Sequence, residues 1–240
     1  LHLHEPLMPG PTQTALLVKA APMVGTLHAA GSVGNYRVWG PLVRAGARRL
    51  DLRCAVSRDA EALARAALGG TYELVFNGVD VAQFAKATPT PTDAPTILFL
   101  GRHEPRKGLG VLLEAMAEMP PGVRLWIAGE GPQTDELRTA VAGDVRIQWL
   151  GRISDAEKAA RLRAADVFCA PSLGGESFGI VLLEAMAAEA CIVASGLPGY
   201  ANVARADVDA LLVPPGDAHA LAAGLRRVLE AVGLRRRLVA

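Results

Sequence analysis

A chain of 240 residues, of which 51% are hydrophobic and 20% charged, is long enough for one large globular domain or two small ones. Its 25 lysines and arginines nearly balance its 24 aspartates and glutamates, so the overall charge excludes a general attraction to nucleic acid. The scattered cysteines predict neither a disulfide framework nor a metal site, and the absence of a signal-peptide pattern or of about 20 consecutive apolar residues predicts a cytoplasmic protein.

Four short β-rich runs alternate with helical patterns in the first third of the chain. They lie near residues 1–4, 23–27, 52–56 and 72–76. This alternation predicts a partial α/β lobe. The first run opens the chain inside an apolar strand and leads straight into a turn. We therefore expect further βαβ units to precede residue 1, including the loop that follows the first strand of the lobe.

A connector rich in proline and threonine follows at residues 85–96. Proline there forbids a helix and favours an extended chain between two compact units. We therefore predict a partial N-terminal lobe over residues 1–85, a linker over 86–95 and a C-terminal lobe over 96–240.

Six β-rich runs, each followed by a loop and a helical pattern, make up the rest of the chain. They lie at residues 96–100, 123–129, 145–150, 167–170, 191–195 and 210–213. This order predicts a doubly wound parallel sheet. Ser154 and Glu157 have the spacing of a capping box, and the last long helix is predicted to carry one apolar face that includes Leu221, Leu225, Val228, Leu229 and Val232.

A basic loop follows the strand at residues 96–100. Ligands of parallel sheets bind outside the carboxyl ends of the strands, where Arg102 and Lys107 are expected. Their guanidinium and ammonium groups suit a diphosphate. A solvated basic loop is the alternative.

Two glutamates flank a predicted helix start after the strand at residues 167–170. Small residues near Glu176 would let backbone N–H groups approach an anion, and Glu184 lies about two turns into an otherwise apolar helix. We interpret them as sugar-binding carboxylates. The alternative is that Glu176 caps the helix and Glu184 is a surface charge.

Two features of the first lobe are less specific. His28 follows a strand, where a lone histidine is more often structural than catalytic. A predicted helix with Arg37, Arg44, Arg48 and Arg49 has a basic face that suits either anionic lipid headgroups or solvent.

Taken together, these motifs resemble the retaining GT-B glycosyltransferases of the glycogen-synthase-like superfamily, and among them the actinobacterial phosphatidylinositol mannosyltransferases. The resemblance spans nearly the whole chain and rests on residues 2–6, 28, 77–84, 104–108, 165–187 and 211–217. It implies an α/β fold of GT-B type with two Rossmann-like lobes, the N-terminal one incomplete. It also places Glu189 where a helix-ending glycine is usual.

The resemblance implies a role for each candidate residue. Arg102 and Lys107 would hold the donor diphosphate, Glu176 the transferred hexose and Glu184 the ribose. Backbone amides would approach the donor at Phe178, Gly179 and Ile180. The base would be recognised by Ile153, Asp155 and Lys158. His28 would serve the transfer itself.

The implied reaction moves mannose from GDP-mannose to phosphatidylinositol with retention. No cofactor is expected to be tightly bound and no metal site is predicted, although Mg²⁺ would accompany the donor diphosphate. The implied location is cytoplasmic and peripheral, on the inner face of the plasma membrane, with no nucleic-acid partner. The alternatives are another nucleotide sugar, a soluble acceptor, or a donor-binding fragment without turnover.

Overall fold

The computed structural model describes residues 1–8, 10–29 and 40–239, and its contacts divide the chain into two compact units. The first unit comprises Leu1–Asn77 with Gly175–Phe178, and the second comprises Gly78–Gly174 with Gly179–Ala240. The division falls at Gly78 rather than after residue 85. It lies there because Phe84 is buried in the core of the second unit.

The first unit is a four-stranded parallel sheet in the order β1-β2-β3-β4. Its strands are β1 (His2–His4), β2 (Val24–Leu27), β3 (Leu52–Ala55) and β4 (Glu73–Leu74), and its described helices are α1 (Pro11–Val18), α2 (Gly40–Ala47) and α3 (Arg58–Leu68). The four predicted strands are confirmed. Ser57 caps the start of helix α3, because its hydroxyl accepts a hydrogen bond of 3.0 Å from the N–H of Ala60.

The predicted basic helix face is described only in part. Arg37 lies outside the described residues. Arg44 donates from Nε to the carbonyl of Ala67 at 3.0 Å, and Arg49 donates from Nε to the carbonyl of Leu16 at 2.8 Å. These two guanidinium groups therefore tie α2 and the loop after it to neighbouring elements of the first unit.

The second unit contains the six-stranded parallel sheet that the sequence predicts, in the order β10-β9-β8-β5-β6-β7. Its strands are β5 (Thr96–Leu100), β6 (Arg124–Ala128), β7 (Ile147–Gly151), β8 (Val167–Ala170), β9 (Cys191–Ser195) and β10 (Leu211–Val213). The central strands are mostly apolar because helices cover both faces of the sheet. Within the described ranges, no helix combines the length and apolar character needed to cross a membrane.

Eight helices are described in the second unit. They are α4 (Val81–Ala85), α5 (Leu109–Ala117), α6 (Thr134–Ala140), α7 (Asp155–Ala164), α8 (Ile180–Ala187), α9 (Pro198–Ala201), α10 (Ala218–Glu230) and α11 (Val232–Leu238). The predicted cap of α7 is confirmed, because the Ser154 hydroxyl accepts from the N–H of Glu157 at 3.1 Å. The predicted last helix is too long: α10 ends at Glu230, and Val232 opens α11.

The strand order reverses beside β5. From β5 the chain runs outward through β6 and β7, then returns so that β8 pairs with the other edge of β5. In sheets of this kind, ligands bind outside the carboxyl ends of the strands, near the point where the strand order reverses.

Glu189, just after α8, has a backbone φ of 57°. This confirms a left-handed residue where glycine is usual, and the strain coexists with an ion pair of 2.7 Å to Arg163. We expect Glu189→Gly to unfold at a higher temperature than Glu189→Ala, with a free energy of unfolding larger by about 1 kcal/mol. Both variants lose the ion pair, so their difference isolates the backbone strain. Equal stability in a urea titration would contradict this interpretation.

Candidate functional site

A cleft of about 710 Å³ opens in the second unit, at the carboxyl ends of β5, β6 and β7. Its lining consists of Leu100, Gly101, Arg102, Ala128, Gly129, Glu130, Gly131, Arg152, Ile153 and Lys158. The cleft thus brings together three residues predicted for different parts of a nucleotide sugar: Arg102 for the diphosphate, and Ile153 and Lys158 for the base. Its volume is in the range of small-molecule sites.

The loop after β5 is tied to the loop after β8. The N–H of Leu173 donates to the carbonyl of Arg106 at 2.7 Å. Gly108 has a φ of 68°, and a Cβ there would overlap the carbonyl oxygen of Pro171. Only glycine both adopts this left-handed conformation readily and lacks the Cβ that would cause the overlap. The turn that carries Lys107 is therefore fixed against the loop after β8.

Two glycines and a buried histidine connect β6 to the loop after β5. A Cβ at Gly129 would overlap the carbonyl of Gly101, and one at Gly131 would collide with the backbone of His103. His103 is 1% exposed and hydrogen bonded through Nδ1 to the Thr134 hydroxyl at 2.8 Å, and burial lowers its pKa. The sequence patterns did not single out these residues, although two glycines directly after a strand could have indicated the close approach of two loops.

Lys158 and Glu184 form an ion pair beside the cleft. The ammonium of Lys158 lies 2.6 Å from Oε1 of Glu184 and 3.2 Å from Asp155. Burial opposes the charge of Lys158, but the hydrogen bonds and charges of the two carboxylates outweigh burial and raise its pKa. Thus Glu184 is not a solitary surface charge, and the residues predicted for the base and for the ribose are in direct contact.

The helix that carries Glu184 is preceded by a glycine that packs against an aromatic ring. Gly179 has a φ of 81°, and a Cβ there would collide with the ring of Tyr200. The Tyr200 hydroxyl is buried and lies 2.9 Å from the Ser172 hydroxyl. Ile180 opens the helix with a partly exposed side chain. The lack of a side chain at Gly179 therefore lets the Tyr200 ring pack directly against the start of the helix.

The segment Gly175–Phe178 packs as part of the first unit. The ring of Phe178 is buried and stacks on Phe76 with centroids 5.7 Å apart and an interplanar angle of 18°. Glu176 lies in the same segment and is partly exposed. Of the predicted donor residues, Glu176 and Phe178 thus belong to the first unit and the others to the second.

His28 lies at the carboxyl end of β2 in the first unit and is partly buried. Its Nε2 shares a hydrogen bond of 2.7 Å with Nδ1 of His4. Burial and the nearby His4 lower its pKa, while Glu5 raises it and His2 adds to the lowering. The structure therefore favours a neutral imidazole at this strand end.

The lowered pKa of His28 makes the stability of the first unit depend on pH. The unfolded chain binds a proton at this site near the ordinary histidine value, about 6.5, whereas the folded chain binds it only at lower pH. We expect NMR titration of the imidazole to give a pKa below that value, and the free energy of unfolding to fall as the pH drops through this window. Replacing His4 with glutamine removes one source of the lowering. A His28 pKa that does not rise in His4→Gln would contradict the assigned cause.

Comparison with known proteins gives a consistent result. The family described as "Glycosyl transferases group 1" matches residues 94–231. Phosphatidyl-myo-inositol mannosyltransferase of Mycolicibacterium smegmatis is 44% identical over 251 residues, which cover all of this chain and 64% of that protein. The enzyme of the same name from Mycobacterium tuberculosis is 43% identical and is matched over 67% of its length. The chain thus spans about two thirds of the length of these relatives.

The fold also matches solved structures. The crystal structure of Anabaena Alr3699/HepE in complex with UDP-glucose superposes with a TM-score of 0.80 at 24% identity, over 95% of this chain and 70% of that one. At this level of identity the likeness concerns the fold alone. It confirms the predicted α/β architecture of GT-B type, with its two parallel sheets.

Proposed function

Because the chain belongs to the group 1 glycosyltransferases, we propose that the complete protein transfers mannose from GDP-mannose to phosphatidylinositol, with retention of configuration. The observation that carries the proposal is the 44% identity, over the whole chain, with a relative named for this activity. The lining of the cleft supports it, because Arg102 suits a diphosphate and Ile153 and Lys158 suit a base.

In this proposal Arg102 and Lys107 hold the diphosphate. Arg102 lines the cleft, and the turn carrying Lys107 is fixed by the close packing of Gly108 on Pro171. Positive charges held in place before the reaction stabilise the negative charge that develops on a departing diphosphate. The leaving group would therefore be stabilised mainly by the protein.

The base and ribose would bind on the other side of the cleft. Ile153 provides an apolar surface, Asp155 would read the guanine, and Lys158 links the base site to Glu184. Since Lys158 holds Oε1 of Glu184, a ribose hydroxyl would donate to Oε2.

The remaining roles fall on the helix start and the first unit. Glu176 would accept hydrogen bonds from hexose hydroxyls, and backbone amides of Phe178, Gly179 and Ile180 would approach the donor. Mg²⁺ would accompany the donor diphosphate and offset part of its negative charge. Among the described residues, no group of three or more His, Cys, Asp or Glu side chains is arranged to hold a metal ion.

The acceptor defines the proposed location. Phosphatidylinositol resides in membranes, so the complete protein would work as a peripheral protein at the inner face of the plasma membrane. Anionic lipid headgroups would then attract exposed basic side chains of the protein to the membrane surface.

Calorimetric titration of the complete protein with GDP, GDP-mannose and UDP-glucose tests the donor, and product analysis with phosphatidylinositol tests the acceptor. We expect GDP and GDP-mannose to bind at least about tenfold more tightly than UDP-glucose. A difference of this size corresponds to the free energy of about one hydrogen bond to a charged group. Tighter binding of UDP-glucose would favour a different donor. Transfer to a soluble acceptor alone would overturn the lipid acceptor, and donor binding without turnover would overturn the enzymatic role itself.

A further inference from the structure

Glu5 stands at the carboxyl end of β1 in an unusual backbone conformation. Its φ is 48°, in the left-handed region that residues other than glycine rarely adopt. Its N–H still donates to the carbonyl of Thr26 at 2.9 Å, which extends the pairing of β1 with β2 by one residue. The chain leaves the sheet at this turn, and the side chain of Glu5 reaches the end of β2.

One carboxylate oxygen of Glu5 accepts two backbone hydrogen bonds there. Oε1 lies 2.6 Å from the N of His28 and 2.7 Å from the N of Ala29. Bonds to an ionised carboxylate are shorter and stronger than those between neutral groups. The other oxygen, Oε2, is buried and has no hydrogen-bond partner among the described residues. A strained turn and a partly desolvated carboxylate both cost free energy. Such a conformation persists only where the surrounding structure holds the group in place.

The side chain of His28 is supported from the same strand. Nδ1 of His4 lies 2.7 Å from Nε2 of His28, and the two ring centroids are 5.0 Å apart. The ring of His2 in turn contacts the ring of His4, with centroids 4.5 Å apart and planes tilted by 30°, and is hydrogen bonded to the hydroxyl of Thr26 at 2.7 Å. The turn after β1 therefore contacts the backbone of His28, and β1 itself contacts the imidazole.

We propose that Glu5 is a positioning residue for His28, whose backbone it holds at the carboxyl end of β2. The inference rests on the proposed function, in which His28 serves the sugar transfer. Glu5 acts only through its two hydrogen bonds to the backbone and does not touch the donor or the acceptor. A misplaced reacting group commonly lowers the rate by a factor of about 100, so the loss of these bonds should be measurable in turnover.

Variants of equal side-chain length isolate this role. Glutamate, glutamine and methionine are all unbranched at Cβ, so they share the strain of the left-handed turn. Glutamine keeps an oxygen that accepts both N–H groups, whereas methionine does not. In the complete protein we expect Glu5→Met to lower kcat roughly 10- to 100-fold with an unchanged KM for the donor, and Glu5→Gln to keep most of the turnover. Glu73→Met makes the same chemical change at an exposed carboxylate of β4 and should leave kcat unchanged.

Amide hydrogen exchange provides a readout that does not depend on catalysis. Exchange at His28 and Ala29 should become faster in Glu5→Met by on the order of tenfold, and should stay slow in Glu5→Gln and Glu73→Met. If Glu5→Met does not fold, Glu5→Gly removes the carboxylate while relieving the backbone strain, and the same changes in exchange and kcat are expected of it.

Wild-type exchange and kcat in the methionine or glycine variant would overturn the proposal. An equal loss of kcat in Glu5→Gln and Glu5→Met would also overturn it, because the carboxylate charge itself would then be required. Should His28→Ala retain turnover, the proposed role of His28 in the transfer would fail. The exchange rates at His28 and Ala29 would still decide whether Glu5 holds this segment.

Discussion

Replacing His28 with alanine in the complete protein is expected to lower mannosyl transfer by roughly 10²- to 10⁴-fold at saturating donor. A positioned imidazole at the reacting centre contributes through orientation, hydrogen bonding or proton transfer. GDP affinity should be unchanged, because His28 belongs to the first unit and the residues proposed for the diphosphate belong to the second. The measurement is transfer to phosphatidylinositol by both proteins, beside calorimetric GDP binding.

His219→Ala is the matched control for this experiment. His219 is exposed on the second unit and is paired with Glu118, so its loss should affect neither turnover nor donor affinity. Thermal stability of His28→Ala should stay near that of the wild type, since the imidazole is only partly buried. If more than about a tenth of the wild-type turnover remained, His28 would be a structural residue rather than a catalytic one.

Replacing Arg102 or Lys107 with alanine is expected to weaken GDP binding roughly 10- to 100-fold for each variant, as expected for charge-assisted contacts to a diphosphate. Calorimetry with GDP and with guanosine gives the test, because guanosine lacks the diphosphate and should bind these variants as it binds the wild type. The loss should also shrink at high salt, where attraction between charges is screened.

Arg124→Ala is the control for the loss of one positive charge. Arg124 opens β6 at its amino end, the end of the strand opposite to the cleft, and is paired with Asp93. Its removal should leave GDP affinity unchanged. If both cleft variants kept wild-type GDP affinity, or if Arg124→Ala lost as much as they did, the diphosphate assignment would be wrong.

The succession of strands along the chain and the place of the cleft at their carboxyl ends followed from the sequence because both rest on strong local patterns. Continuous apolar runs such as that at residues 97–100 are typical of strands covered on both faces, and the rule for parallel sheets places the loops after them at one edge. Glu189 was likewise predictable as a left-handed residue, because the resemblance places it where a helix-ending glycine is usual.

Other features depend on packing that no local pattern specifies. The Lys158–Glu184 ion pair joins residues 26 positions apart, and it forms because helices α7 and α8 lie side by side. The boundary between the units was placed by the proline-rich connector, whereas burial of Phe84 assigns the preceding helix to the second unit. The carboxylate of Glu5 reaches His28 only because β1 and β2 are neighbours.

The position of β5 between β6 and β8 has a consequence for the order in which the molecule is made. Chains fold as they leave the ribosome from the N-terminal end, so β5 acquires β6 as a neighbour well before β8 has been synthesised. Until Val167–Ala170 emerges, one edge of β5 stays unpaired and open to wrong partners. The carbonyl of Pro171 that packs on Gly108 arrives later still. We therefore expect nascent chains to gain nucleotide binding late in synthesis and in a single step.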